Sequence, residues 1–339
     1  MKTYFVTGGA GFIGSAFIRL AMREADDTRI VNFDALTYSG NLENLAGIES
    51  DRYQFVKGDI RDSDAVAAAM PDDVYVVINF AAESHVDRSI ASAHEFVTTN
   101  VVGTQVLLDA ARTKGARRFC QISTDEVMGS LADDSDDLFT DDSPFEPNSP
   151  YAASKAAAEH LVRAARETFG VDTVITRCGN NYGPRQFPEK LIPLMIANAL
   201  ANEALPVYGD GGNVRDWIYV DDHCRAIRQI VKEAPAGETY NIGARNEKKN
   251  IDVVKAILDA LDKPHSLIKF VKDRPGHDRR YAIDAAKIES LGWRPQETWT
   301  TGLEKTIKWY LDNPEWVSHV RSGDYLDYYR KQYGLEAAV

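Results

Sequence analysis

Short apolar runs alternate with longer amphipathic stretches through the first half of the chain. Thr3-Tyr4-Phe5-Val6-Thr7, Arg29-Ile30-Val31-Asn32-Phe33, Tyr53-Gln54-Phe55-Val56-Lys57, Val74-Tyr75-Val76-Val77-Ile78-Asn79, Arg118-Phe119-Cys120-Gln121-Ile122 and Val171-Asp172-Thr173-Val174-Ile175-Thr176-Arg177 read as strands. Helical patterns run from Ser15 to about Glu24, from His94 to Lys114 with Val97, Val101, Leu108 and Ala111 apolar, and from Pro150 to about Thr168. Ser149-Pro150 has the form of an N-cap followed by a first-turn proline. Strands alternating with helices imply a parallel, doubly wound α/β sheet. Past Cys178 the texture changes. Asn180-Asn181-Tyr182-Gly183-Pro184 reads as a turn, and Pro188, Pro193 and Pro206 punctuate the segment beyond it. The run from Arg215 to His223 leads into a helix, and Thr239-Tyr240-Asn241-Ile242-Gly243 reads as one more strand.

The first strand passes at once into Gly8-Gly9-Ala10-Gly11-Phe12-Ile13-Gly14 and then into a helix, the context of a dinucleotide fingerprint. Gly8 allows the tight turn, Gly11 lets the backbone approach a pyrophosphate, and Gly14 lets helix pack on strand. Amides at the helix N-terminus supply the positive end for phosphate. Asp34 ends the second strand twenty residues past Gly14. An acid there accepts from both ribose hydroxyls and repels a 2′-phosphate, which favours NAD over NADP. Asp59, after the third strand, is a candidate for the adenine amine. The small Ala81 and Ala82 would let a cofactor lie close to the fourth, and His85 reads as a hydrogen-bonded loop histidine. The expected architecture is therefore a Rossmann-type doubly wound parallel sheet with a smaller, discontinuous C-terminal substrate domain. Residues 1–178 form the NAD-binding part, with a return segment near 216–243, and residues 179–339 mainly bind the substrate.

Composition narrows the partners. At 339 residues with 44% hydrophobic content the chain can bury a large core. A net charge of −12 argues against nucleic acid or an anionic membrane as partner. No apolar run approaches a membrane span, and the start leaves no room for a signal peptide, so the expected location is the cytoplasm. Cys120, Cys178 and Cys224 read as reduced core residues. The acidic stretch from Asp133 to Asp137 lacks the glycine and glutamate of a calcium loop, the histidines form no zinc motif, and no metal is expected. Against this acidic background Lys272 to Arg280 is basic, which suits a diphosphate.

The stretch between the fifth strand and the helix at Pro150 carries the candidate chemistry. Thr124, Asp125 and Glu126 follow the strand, at the end where open α/β sheets keep their sites. Tyr151 and Lys155 lie four residues apart, on one helical face. An ammonium beside a phenol favours the phenolate, making tyrosine a usable general base.

With these residues in place the chain resembles, over nearly its whole length, the extended short-chain dehydrogenase/reductase family, and within it the branch that dehydrates nucleotide sugars. The resemblance rests on Thr7 to Gly14, Ala81 to Ser89, Ser123 to Val127, Asn180 to Pro184, Phe187 to Pro193 and Asp273 to Tyr281. It implies cofactor contacts at Phe12, Ile13, Asp34, Thr37, Asp59, Ile60, Ala81, Thr99, Tyr151, Lys155 and Asn181. The nucleoside-diphosphate sugar, with dTDP-glucose favoured and UDP open, would meet Ser84, Thr124, Asn180, Lys190, Leu191, Pro206, Tyr208, Arg215, Asn250, Arg274 and His277. Tyr151 would take the proton of the sugar 4-hydroxyl, with Lys155 holding it as phenolate and Thr124 bonding the 4-oxygen. Glu126 would remove the C5 proton and a protonated Asp125 would donate to the departing C6 hydroxyl, giving a 4-keto-6-deoxy sugar. A homodimer pairing the two long helices is also implied. Met128 and Gly179 stand where relatives usually carry tyrosine and serine. A 4-epimerase or decarboxylase shares the glycine loop, tyrosine and lysine but needs no acid pair; a catalytically silent NAD-binding regulator would need none of the catalytic groups.

Overall fold

The computed structural model describes residues 1–25 and 27–321. Residues 322–339, the end of the expected substrate part, lie outside them. Strands β1 (Lys2–Thr7), β2 (Thr28–Asp34), β3 (Tyr53–Lys57), β4 (Val76–Asn79), β5 (Phe119–Thr124) and β6 (Thr173–Cys178) are followed by β7 (Asn180–Tyr182), β8 (Leu205–Tyr208) and β9 (Val214–Tyr219). The chain then adds β10 (Thr239–Ile242), β11 (Glu247–Lys249) and β12 (Ile268–Val271). Seven strands make one sheet in the order β10-β6-β5-β4-β1-β2-β3, and every neighbouring pair in it is parallel. Parallel strands are covered on both faces, which is why β5 and β6 are buried along their whole length. The order reverses between β1 and β4, where Thr7 pairs with both Phe33 and Asn79. That reversal opens the crevice in which such sheets bind ligands.

Helices Phe12–Glu24 and Val220–Glu233 pack together, and their apolar faces join Tyr4, Val6, Ile78 and Ile122 in one cluster. Leu107, Leu108, Val162 and Ala165, from helices Gly103–Thr113 and Pro150–Phe169, join Phe5, Phe33 and Phe119 in another. Phe119 is fully buried, so Phe119→Ala would cost about 3–5 kcal/mol. Strand β10 returns to the edge of the large sheet beside β6, so residues beyond position 178 complete it. A further apolar cluster, from Tyr182 to Trp316, lies around β8, β9 and helices Leu191–Leu200, Asn250–Ala260 and Trp299–Asp312.

Two local readings change. Asn180–Tyr182 is strand β7, not a turn: it pairs in parallel with Trp217–Tyr219, a partner that local sequence could not show. The helical pattern from His94 holds, but its turn at Val97–Val102 is widened to a π-helix. Inside it the buried Asn100 clamps Glu83, accepting from its N–H and donating to its C=O, each at 2.9 Å, and donates to Ser154 Oγ at 2.8 Å. Among the described residues no helix is long and apolar enough to cross a membrane.

Candidate active site

The glycine turn is shaped by close backbone approach. Gly8 has φ +66°, and a Cβ there would lie 2.5 Å from the Ala81 nitrogen. A Cβ at Gly14 would lie 2.3 Å from the Gly8 carbonyl oxygen. Side chains are thus excluded where β1, β4 and the helix meet, and a groove remains. The helix begins at Phe12, straight after an extended Gly11, so its first amides face that groove. At the end of β2 the Asp34 carboxylate accepts from the Ala10 and Leu36 amides, each at 2.8 Å. Burial pushes its pKa up while those two bonds pull it back. An oriented carboxylate beside a glycine turn fits a dinucleotide ribose with free hydroxyls.

The groove continues into a cavity of about 450 Å³. Every expected cofactor residue lines it: Gly8, Gly11, Phe12, Ile13, Gly14, Asp34, Thr37, Asp59, Ile60, Ala81, Thr99, Tyr151, Lys155 and Asn181. So do Ser84, Thr124, Asn180, Lys190 and Leu191 of the expected substrate set, with Asp125 and Glu126. Pro206, Tyr208, Arg215, Asn250, Arg274 and His277 are not in that lining. Pro206 lies within β8, and Asn250 starts helix Asn250–Ala260 with its Oδ1 buried and unbonded. Tyr208 and Arg274 both bond Asp87, and the His277 and Tyr208 rings meet edge to face at 6.0 Å. Arg215 stacks over Tyr281 at 4.3 Å. Arg274 and Arg215 both act on the charge of Glu126, which places this cationic group beyond the carboxylates.

Thr124 ends β5 and caps the 3₁₀ turn Asp125–Met128. Its hydroxyl accepts from the Glu126 amide at 3.3 Å and donates to Asp125 Oδ1 at 3.2 Å. Asp125 is 2% exposed, with its Oδ2 unpartnered. Burial, then the Glu126 charge, push the Asp125 pKa well above the ordinary carboxylate range. Glu126 is open to the cavity; burial raises it too, but Arg274, Lys190 and Arg215 oppose the rise. Neighbouring carboxyls in unlike surroundings can hold one proton between them.

Ser149 Oγ accepts from the Ala152 amide at 3.1 Å, capping the helix that carries Tyr151 and Lys155. Lys155 bonds the backbone of β5 and Tyr151 keeps a raised pKa. Burial, then Glu126, raise the phenol well above its usual value, and a hydrogen bond with Thr124 offsets this in part. The Lys155 ammonium donates instead to the Ile122 carbonyl at 2.5 Å, and burial lowers its own pKa to about 8.

Sequence reading gave no role to Glu189, Arg61 or His223. Glu189, 7% exposed, lines the cavity, accepts from Tyr38 at 3.0 Å, and is raised by burial to about 7. Both oxygens of Asp59 accept from Arg61. His223 Nδ1 lies 2.9 Å from Asn181 Oδ1, fixing that amide. His85 caps helix Val86–Ala91, accepting from the Arg88 amide. Of the two departures, Met128 is buried with its sulfur 3.6 Å from Arg177 Nη1. A Cβ at Gly179 would lie 2.7 Å from the Asp216 carbonyl, so the site closes where a serine would need room.

The family model for GDP-mannose 4,6 dehydratase matches residues 5–306. A dTDP-glucose 4,6-dehydratase of Neisseria meningitidis serogroup B is 54% identical, covering 96% of this chain and 98% of the relative. The enzyme named dTDP-glucose 4,6-dehydratase 1 of Escherichia coli K12 is 51% identical over 97% and 98%. The crystal structure of a dTDP-glucose 4,6-dehydratase from Streptomyces venezuelae, with NAD and dTDP bound, superposes with a TM-score of 0.90 at 48% identity. It covers 94% of this chain and 99% of that one.

Proposed function

The chain belongs to the GDP-mannose 4,6 dehydratase family, and from that membership and the site we infer an NAD-dependent dehydratase of a nucleoside-diphosphate glucose. The substrate is dTDP-glucose, the sugar nucleotide in the names of the similar enzymes, and the product is the 4-keto-6-deoxy sugar. One observation carries the reading: an adjacent carboxyl pair at the end of β5, one member buried and the other open, beside Thr124 and Tyr151.

Tyr151 removes the proton of the sugar 4-hydroxyl, and Thr124 bonds the 4-oxygen. NAD, when bound, would supply the hydride acceptor for C4 and the hydride donor for C6. Gly8, Gly11 and the first amides of helix Phe12–Glu24 would hold its pyrophosphate, Asp34 its ribose, and Lys155 the second ribose. The C4 ketone acidifies the C5 proton, which Glu126 removes. Asp125, whose pKa burial raises, donates to the C6 hydroxyl and water leaves; a proton returns to C5 as C6 takes up the hydride. An epimerase or decarboxylase has no use for that acid.

The NAD-binding part is residues 1–178 with the return segment near 216–243; residues 179–339 mainly bind the sugar nucleotide. The protein acts as a homodimer in the cytoplasm. Exposed Val97, Val102 and Phe169 on the two long helices support the dimer, and three buried unpaired cysteines suit a reducing compartment.

Comparing kcat/KM for dTDP-, UDP-, CDP- and GDP-glucose, with the product assayed as keto sugar, tests the reading. Preference for dTDP-glucose is expected. A preference for UDP-glucose would overturn the substrate, and NAD binding without product would leave a regulator.

A further inference from the structure

We propose that Asp87 is a positioning residue that holds Tyr208 and Arg274 in the geometry needed to bind the nucleoside diphosphate. The proposal rests on the dehydratase reading above, which supplies the ligand.

The two side chains arrive from neighbouring strand ends. Strands β8 and β12 pair in parallel, with Tyr208 opposite Val271 at their carboxyl ends, and the Gly209 amide donates to the Val271 carbonyl at 3.0 Å. Arg274 follows three residues after Val271. Neither strand belongs to the large sheet. Asp87 reaches them from the first turn of helix Val86–Ala91, which follows β4 of that sheet. Its Oδ2 accepts from the Tyr208 hydroxyl at 3.1 Å, and its Oδ1 from Arg274 Nη1 at 3.2 Å. The Asp87 side chain is 7% exposed and that of Arg274 20%. A carboxylate this dry, with one oxygen on each partner, makes charge-assisted bonds that fix both side chains.

Two further features give the contact a purpose beyond packing. The Arg274 Nε is buried and bonds nothing among the described residues, so the guanidinium is held on one side with a donor left over. Arg274 also acts on the charge of Glu126 more strongly than any other cation does. A loosened Arg274 would have Glu126 within electrostatic reach, and an ion pair there would occupy the base and remove the anion-binding donor together. Asp87 competes for the same guanidinium and keeps it turned to the ligand. An aspartate suits this better than asparagine, whose amide nitrogen cannot accept the second bond.

The test uses the NAD-loaded full-length enzyme. Calorimetry gives Kd for dTDP, and steady-state kinetics give KM and kcat for dTDP-glucose, in Asp87→Asn, Tyr208→Phe, Arg274→Lys and the double variants. Asp87→Asn should raise Kd and KM about tenfold, the worth of one charge-assisted bond, with kcat changed less than about threefold and NAD content intact. In the Arg274→Lys background the same substitution should add much less than in the parent. If Asp87→Asn does not fold, Tyr208→Phe, which leaves the carboxylate in place, must raise Kd on its own. Unchanged Kd in the folded single variants, or strictly additive effects in the doubles, overturns the proposal. If the unaltered enzyme bound no dTDP, the dehydratase reading itself would fall and the proposal with it.

Discussion

The Lys155 ammonium sits 2.5 Å from the Ile122 carbonyl oxygen, tying the helix that carries Tyr151 to the strand that carries Thr124. The bond joins the Tyr151 helix to the end of β5 and engages the cation expected to lower the phenol. Burial leaves Tyr151 well above its ordinary pKa, so cationic help decides how much phenolate is available near neutral pH.

Tyr151→Phe should reduce turnover by about 100-fold or more, the usual worth of a positioned base. Lys155→Met should shift the acidic limb of the pH–rate profile upward, because the remaining positive charge near the phenol falls. An unmoved limb in the profile of kcat would mean that the lysine acts only as an anchor for Ile122 and the ribose.

The carboxyl pair predicts two different defects. Glu126→Gln should still oxidise C4, so reduced cofactor and a 4-keto hexose retaining its 6-hydroxyl accumulate, while exchange of the C5 hydrogen with heavy water slows. Asp125→Asn keeps the base and loses the acid, so dehydration falls about 100-fold or more. In a stepwise elimination its C5 exchange survives. The assignment is falsified if Glu126→Gln dehydrates the substrate at near the parent rate.

Asp34 has a bond from the Ala10 amide on one oxygen and from Leu36 on the other, which aims its remaining lone pairs at the groove. Purified protein should carry NAD, and NADP should not restore stripped enzyme. Mass spectrometry of the denatured supernatant checks this; NADP as the main nucleotide would contradict the role given to Asp34.

Glu189 predicts a pH-dependent stability. Its folded-state pKa is raised from 4.5 to about 7, chiefly by burial, so its proton is bound more tightly in the folded protein. Its contribution to stability is fully present below the unfolded value and is lost as pH rises through about 7. Glu189→Gln lacks that dependence, and Tm of the variant relative to the parent should rise across that window. A constant difference on both sides of it would show that Glu189 titrates as a solvated acid.

The elements of the sheet were legible because their signals are local. An apolar run between turn residues makes a strand, Gly8 and Gly14 mark a close approach that other residues would block, and four-residue spacing puts Tyr151 and Lys155 on one face. Those facts depend on backbone sterics and helix geometry within a few residues. The resemblance added residue roles, and the cofactor set does gather in one cavity.

Other features were set by contacts between distant segments. Strand β7 exists because β9 pairs with it, and the widened turn at Val97–Val102 surrounds an Asn100 engaged by Glu83 and Ser154. Asp87 meets Tyr208 and Arg274 across 121 and 187 residues. The unequal acidities of Asp125 and Glu126, which are adjacent in sequence, follow from what surrounds each of them. Residue type fixes which groups can ionise, but desolvation and the placement of Arg274, Lys190 and Arg215 set the direction in which each is shifted, and burial is a property of the packed molecule.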